Sequence, residues 1–480
     1  MSQVQSIIKN IQKTMRQDAG LDGDAQRISQ LVWMLFLKIF DDREMSLELM
    51  DTHYKSPIPE QYRYRSWASN DEGMTGEALS TFLDKELFPV LKALQVSDID
   101  SRGYLIKNIF SDTYNYMKDG TLIRKVINDI NKINFNKKND RHDFGDLYEK
   151  ILKDLQNAGN AGEFYTPRPL TKFVVEMTNP KLGEDVLDPA CGTGGFLVNA
   201  LEHMRLEVRS AREEKELHTH IHGNELKPLP HMLAITNMIL HGVEDPSTML
   251  RGDMLARPYT DYGPRDRVDV ILANPPFGGV VTEGTEMNVP AAYRTRETAD
   301  LFLFLFVHLL KDGGRAGIVL PDGSLFGDGV KAKIKEHLLT ECDVHTIVRL
   351  PSGVFQPYAG VNTNLIFFTK GKPTKEVWYY QMQLPVGLRQ YSKTKPITDS
   401  EFEVVKQWWH NKVENKNGES ERVENEHAWR VSIEEIKAKN WNLDFKNPHI
   451  GVQEIKLTSK QLVEKILKVE EEIKVILKSL

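Results

Sequence analysis

A chain of 480 residues, 40% hydrophobic and 27% charged, has the composition of an ordinary globular protein and the length for two or three domains around a large core. Its formal net charge of -6 argues against strong unaided binding to nucleic acid, which rests on phosphate neutralisation, and no apolar run reaches membrane-spanning length. Two cysteines are too few for a disulfide framework. With an amino terminus rich in Gln, Lys and Arg and lacking a secretory pattern, they make the cytoplasm the expected compartment.

Residues 1–155 are expected to form a helical domain. Within it Leu31, Met34, Leu35, Lys38 and Ile39 recur at helical spacing, the signature of a core-facing stripe. Trp67 to Thr75 reads as a loop. From Arg124 to Arg141 six basic residues face two acids, a pattern that suits either a phosphate backbone or a solvated helix and loop.

From 156 to about 390 the pattern alternates between strand and helix, which predicts an α/β fold with a doubly wound sheet. Thr166 and Pro167 suit an N-cap and first helical position. An alternative for the same stretch is that Phe164 and Tyr165 line a ligand site. Next, Asp185-Val186-Leu187 predicts a short buried strand. It leads into Asp188-Pro189-Ala190-Cys191-Gly192-Thr193-Gly194-Gly195-Phe196, a glycine-rich turn that opens a helix by its N-terminus. The turn lacks the Gly-Lys-Ser/Thr of a phosphate loop. A carboxylate ahead of the glycines repels pyrophosphate but suits a ligand bearing a positive amino group, such as S-adenosylmethionine.

Two acids follow at strand ends. Glu225, after a second strand and beyond a charged helix expected from Glu202 to Leu217, suits ribose hydroxyls. Asp253, followed by Met254, ends a third strand and suits an adenine amino group. The apolar run Val268 to Ala273 then delivers Asn274-Pro275-Pro276-Phe277. An amide oxygen and a proline carbonyl there can accept both N–H bonds of a planar amine and favour the pyramidal nitrogen that forms on alkylation. Phe277 would stack on the base. The blander alternative is two prolines that terminate a strand. Gly278 to Glu297 reads as a mobile loop, and Ala316 to Pro321 and Leu365 to Phe368 as buried strands. Asp300 opens the apolar run that follows. Neither Cys191 nor Cys342 is expected to react covalently. Near the carboxyl end Leu462, Ile466, Val469, Ile473, Ile476 and Leu480 alternate at spacings of four and three, a coiled-coil seam.

In this order, Gly162-Glu163-Phe164-Tyr165-Thr166-Pro167, the Asp188 to Phe196 loop and Asn274-Pro275-Pro276-Phe277-Gly278-Gly279 resemble the N6-adenine DNA methyltransferases. Within these, the chain most resembles the modification subunit of type I restriction-modification systems. Phe144 to Glu149, Leu350 to Phe355, Asn362-Thr363-Asn364 and Leu31 to Lys38 extend the likeness over roughly residues 10 to 370. The resemblance implies a Rossmann-like S-adenosylmethionine-dependent domain over 156–390, a helical domain over 1–155, and a helical or coiled-coil tail over 391–480 for subunit association. It implies S-adenosylmethionine as cofactor and no metal. Cofactor contacts would come from Glu163, Phe164, Tyr165, Thr166, Asp188, Pro189, Ala190, Gly192, Thr193, Gly194, Gly195, Phe196, Glu225, Asp253 and Met254. Catalysis would fall to Asn274, Pro275, Pro276 and Phe277. No stretch reads as a unit for recognising a DNA sequence. The expected partners are therefore double-stranded DNA, a separate specificity subunit holding two copies of this chain, and a restriction subunit, with no membrane. The rival readings are an autonomous adenine methyltransferase, an enzyme acting on RNA or protein, and a noncatalytic cofactor-binding adaptor.

Overall fold

The computed structural model describes residues 3–95, 101–135, 148, 165–356, 360–411, 413–414 and 420–449. Helices dominate up to Asn131, around the 27-residue helix Asp24–Met50. Every residue from Leu31 to Leu37 in it is buried, so the expected stripe is in fact burial on all sides. The cause is tertiary: helix Gly120–Asn131 packs on one side, and helix Pro228–Leu240, which belongs to the sheet region, on another. Buried Gln30 stays satisfied, donating to Asn115 Oδ1 at 2.9 Å and accepting from the Tyr116 N–H at 2.7 Å.

Within the basic stretch Arg124 is structural, while Lys125 and Lys132 are exposed. Arg124 is buried, and its guanidinium donates to the carbonyls of Trp67, Ala68, Asn70 and Met74, bracing the 67–75 loop. Burial lowers its pKa. It has no face left for a phosphate; Lys137, Lys138 and Arg141 lie outside the described residues.

The sheet has nine strands in the order β11-β8-β6-β7-β5-β4-β1-β2-β3. They are β1 (Val186–Asp188), β2 (Ile221–Glu225), β3 (Met249–Arg251), β4 (Val268–Ala273), β5 (Leu310–Pro321), β6 (Cys342–Arg349), β7 (Thr363–Lys370), β8 (Glu376–Gln381) and β11 (Ala428–Ser432), while β9 (Val413–Glu414) and β10 (Ser420–Glu421) form a separate pair. The run β3-β2-β1-β4-β5 is parallel, and β7 enters antiparallel between β5 and β6. Strands covered on both faces read as near-continuous apolar runs, as β4 does. The chain winds outward from β1 through β2 and β3, and from β4 through β5. The carboxyl ends of β1 and β4 therefore flank the switch point, where doubly wound sheets open a crevice.

Two expectations change. The charged helix is two helices, Gly195–Arg205 and Ala211–Thr219, the second capped by the Ser210 side chain on the Glu213 N–H at 3.2 Å. Part of the expected helical tail is sheet: β11 pairs antiparallel with β8, and Trp429 stacks on Tyr379 with ring centroids 5.3 Å apart. The apolar, aromatic alternation of Ala428–Ser432 suits a sheet edge and extends the sheet past 390. The coiled-coil positions 462–480 lie outside the described residues. Among the described residues no helix is long and apolar enough to cross a membrane.

Candidate active site

β1 delivers Asp188 to the switch point, where the glycine loop turns back under backbone control. The Cys191 N–H donates to the Asn224 carbonyl at 2.9 Å, and the Gly194 N–H to the Cys191 carbonyl at 2.8 Å. Gly192 and Gly194 have φ of 53° and 78°, which glycine adopts without strain. From helix Pro228–Leu240 the buried Asn237 donates to the Thr193 carbonyl at 3.1 Å, fixing the loop from beneath. Gly195 and Phe196 begin the next helix.

A cleft of about 300 Å³ opens beside this loop. Of the expected cofactor residues it is lined by Pro189, Ala190, Gly192, Glu225, Asp253 and Met254. Asn274 and Pro276 line it from the catalytic set. Asp188, Thr193 and Phe196 are buried under the loop instead, and Gly194 and Gly195 shape its turn. Tyr165 is buried as well; Glu163 and Phe164 lie outside the described residues. Leu226, Val280, Thr298 and Phe302, none singled out in the sequence, also line the cleft.

Each lining carboxylate is aimed by backbone amides. Glu225 accepts from Gly192 at 2.9 Å through Oε2 and from Lys227 at 2.7 Å through Oε1, and Asp253 accepts from Leu255 at 2.9 Å. Asp188 accepts from the Ala190 N–H at 3.1 Å, yet burial, reinforced by the Glu225 charge, lifts its carboxyl well above the usual carboxylate range. Burial and the same carboxylates raise the Cys191 thiol, and burial pushes Cys342 up to about 12. Both therefore stay protonated and poor as nucleophiles, in keeping with their expected inertness.

β4 ends at Asn274. Its Nδ2 donates to Thr166 Oγ1 at 3.0 Å, while its Oδ1 is shielded and without a hydrogen-bond partner among the described residues. Thr166 is thus not the N-cap expected for it. Pro167 holds that position ahead of helix Arg168–Thr178 and has no polar side-chain atom to cap with, while the threonine hydroxyl is turned to Asn274. Pro275 is buried and Pro276 exposed. Phe277 is half-buried and meets the edge of Phe355 at 5.6 Å and 83°. Phe355 comes from the loop after β6, far away in sequence, and its only signal there was its place in the Leu350 to Phe355 motif.

The segment after Phe277, expected as a mobile loop, is tied to itself and its surroundings at several points. The Val281 N–H reaches the Arg296 carbonyl at 2.9 Å, and the Thr298 N–H reaches Gly279 at 3.0 Å. Asn288 donates to the Leu255 carbonyl at 2.9 Å, and Tyr293 stacks on Phe304 at 5.0 Å. Buried Val281 and Val289 supply the apolar contact that its polar composition concealed. Asp300, near the start of helix Thr298–Leu309, faces Lys331 at 3.2 Å and stays out of the cleft.

Comparison with known proteins agrees with this architecture. The family model for N-6 DNA methylases matches residues 139–456, and the model for the HsdM N-terminal domain matches 4–130. The EcoEI type I restriction enzyme methylase subunit of Escherichia coli is 54% identical over 93% of this chain and 91% of its own. A crystal structure of a modification subunit from Vibrio vulnificus YJ016, assigned to a type I restriction enzyme, is 40% identical with a TM-score of 0.80, covering 93% of this chain and 97% of that one. A structure solved to explain complex assembly and conformational transition in the type I restriction-modification system is 34% identical with a TM-score of 0.84, covering 100% and 98%. A strand-ending Asn-Pro-Pro-Phe beside a carboxylate-lined cleft and matches across both helical and sheet regions have one common source: the chain belongs to the N6-adenine DNA methyltransferases that serve as methylase subunits of type I restriction enzymes.

Proposed function

We propose that this chain methylates N6 of an adenine rotated out of duplex DNA, drawing on S-adenosylmethionine, at sites chosen by a separate specificity subunit. The observation that carries the reading is the shielded Asn274 Oδ1, an acceptor with no donor among the described residues at the rim of a cleft with two backbone-aimed carboxylates. Those residues fit the cofactor. Glu225 suits its ribose hydroxyls, Asp253 its adenine amino group, and the Pro189 to Gly192 turn lets backbone approach it. Asp188 beneath the turn offsets its positive charge, and Tyr165, with Glu163 and Phe164, belongs at the methionine end. When bound, the cofactor supplies an electrophilic methyl group.

The chain supplies the rest. Extruding the adenine costs a few kcal/mol, and stacking on Phe277 returns about 1 to 3 kcal/mol. Phe355 backs that ring edge-on. Asn274 Oδ1 and the Pro275 carbonyl accept the two N6–H bonds, which strengthen as the nitrogen becomes pyramidal and positive. No base is needed before attack, and the surplus proton leaves afterwards. Pro275 and Pro276 keep the acceptors rigid, so little reorganisation remains for the transition state.

A net charge of -6 argues against firm unaided DNA binding, which supports a partner subunit. By likeness to the type I family we take that partner to be a specificity subunit that holds two copies of this chain, with a restriction subunit as a further member and the cytoplasm as the site of action. The test is transfer of radiolabelled methyl to unmodified DNA by the chain alone and with the specificity protein encoded beside it, followed by nucleoside analysis. N6-methyladenine in the mixture only is the expected result. Sequence-specific methylation by the chain alone would make it an autonomous enzyme, and no methylated DNA in either would remove the DNA reading.

A further inference from the structure

We infer that Thr166 is a positioning residue whose hydroxyl anchors the Asn274 amide with its Nδ2 end turned away from the reacting amine; the inference rests on the function proposed above. An asparagine side chain is nearly symmetric in shape, and turning its amide by 180° exchanges an acceptor for two donors at little steric cost. A hydroxyl can accept from the NH2 end or donate to the oxygen, so Thr166 fixes the position and plane of the amide, and the NH2 end is the one it holds in this structure. If the NH2 group faced the adenine amine, donor would oppose donor and the acceptor that favours the pyramidal nitrogen would be gone.

Two features of the structure carry this reading. Asn274 Nδ2 lies 3.0 Å from Thr166 Oγ1, across 108 positions of sequence, with the hydroxyl oxygen accepting. Oδ1, the opposite end of the same amide, is left shielded and without a partner among the described residues. The backbone on both sides is held: Ala273 and Pro275 flank Asn274 and are buried, and Tyr165 and Pro167 flank Thr166 and are buried. Thr166 does not line the 300 Å³ cleft. The duty of its hydroxyl toward Asn274 stands beside the cofactor contact expected near Thr166.

The test compares Thr166→Val and Thr166→Ser with the natural chain, each with the specificity protein, for the rate of N6-methyladenine formation, the Kd for S-adenosylmethionine by calorimetry, and the melting temperature. Thr166→Val removes the acceptor at nearly constant volume. Its kcat should fall about 10- to 100-fold, the scale of one lost hydrogen bond that matters in the transition state, while cofactor Kd stays within about twofold. Thr166→Ser should recover most of the rate, since it restores the oxygen. If Thr166→Val unfolds, Thr166→Ala removes the same oxygen without a branched side chain and is held to the same expectation. An unchanged kcat, or a rate loss matched by an equal loss of cofactor affinity, overturns the inference. A natural chain that forms no N6-methyladenine under these conditions sinks the functional reading, and the inference with it.

Discussion

A shielded acceptor without a donor costs about 1 to 3 kcal/mol, and Asn274 Oδ1 carries that cost in the ligand-free chain. The cost is recovered only when a donor arrives, which makes the atom a selective reader of an incoming amine. Asp188 stores free energy in a second form. Its carboxyl pKa is raised by burial and by Glu225, so in the free protein its ionised form is disfavoured and the neutral form favoured. The sign follows: ionised Asp188 destabilises the free fold as pH rises through its raised pKa, whereas a positively charged cofactor favours the ionised form. Cofactor affinity should therefore rise with pH up to the free protein's Asp188 pKa and level off above it. Asp188→Asn should bind more weakly and flatten that rise; calorimetric titrations from acid to neutral pH would decide, and a natural-chain profile as flat as the variant's would remove Asp188 from the binding equilibrium. Most of these residues were legible because Asp188 and Glu225 end strands made by their own neighbours, and Asp253 and Asn274 follow closely on the strands Met249–Arg251 and Val268–Ala273 rather than ending them. The Thr166 partner was not, since the hydroxyl that holds Asn274 lies 108 residues away and its local sequence equally describes a helix cap.

Among the elements, the loop after β6 has the most exacting geometry. Gly353 has φ of 86°, and a Cβ added there would stand 2.4 Å from the Tyr391 carbonyl oxygen. The Tyr391 N–H in turn donates to the Ser352 carbonyl at 3.0 Å, so the loop is clamped on both sides of Gly353. Gly353→Ala should push the loop away from Tyr391 and with it the Phe355 edge from Phe277. The expected result is about a fivefold loss in methyl transfer from a contact worth about 1 kcal/mol, with cofactor affinity unchanged, as measured by single-turnover rates against calorimetric Kd. Equal losses in both would show that the loop serves the cofactor instead. β4, β5 and β7 were readable as apolar runs. The strap from Gly278 to Glu297 was not, because its anchors are backbone bonds and a few buried valines rather than any periodic pattern. Helix Asp24–Met50 lost its expected stripe for the opposite reason: packing on several sides erases periodicity.

At the scale of the molecule, the helical region and the sheet are joined by charge as well as by apolar contact. Arg102 donates through Nε and Nη2 to Glu44 Oε1 at 2.9 and 2.6 Å and through Nη1 to the Glu244 carbonyl at 2.6 Å, with Arg43 paired to the Glu244 side chain. Glu44 is 1% exposed. Arg102→Ala would strand a buried carboxylate and should cost about 3 to 5 kcal/mol in denaturant unfolding, far above the value of a surface pair. A loss below about 1 kcal/mol would mean that water reaches Glu44 in solution. None of this joint was visible in the sequence, because Glu44, Arg102 and Glu244 lie 58 and 142 positions apart. The misplaced role of Arg124 has the same origin, since its four carbonyl partners belong to a loop some fifty residues earlier.

Helix Pro228–Leu240 acts as a party wall. One side bears against helix Asp24–Met50, and Asn237, from the same helix, grips the carbonyl of Thr193 in the glycine turn. One helix thus touches both the helical region and the glycine turn. If a partner docked on that region changes the affinity of the cleft for its ligand, thermodynamic reciprocity requires the ligand to change the partner's affinity by the same factor.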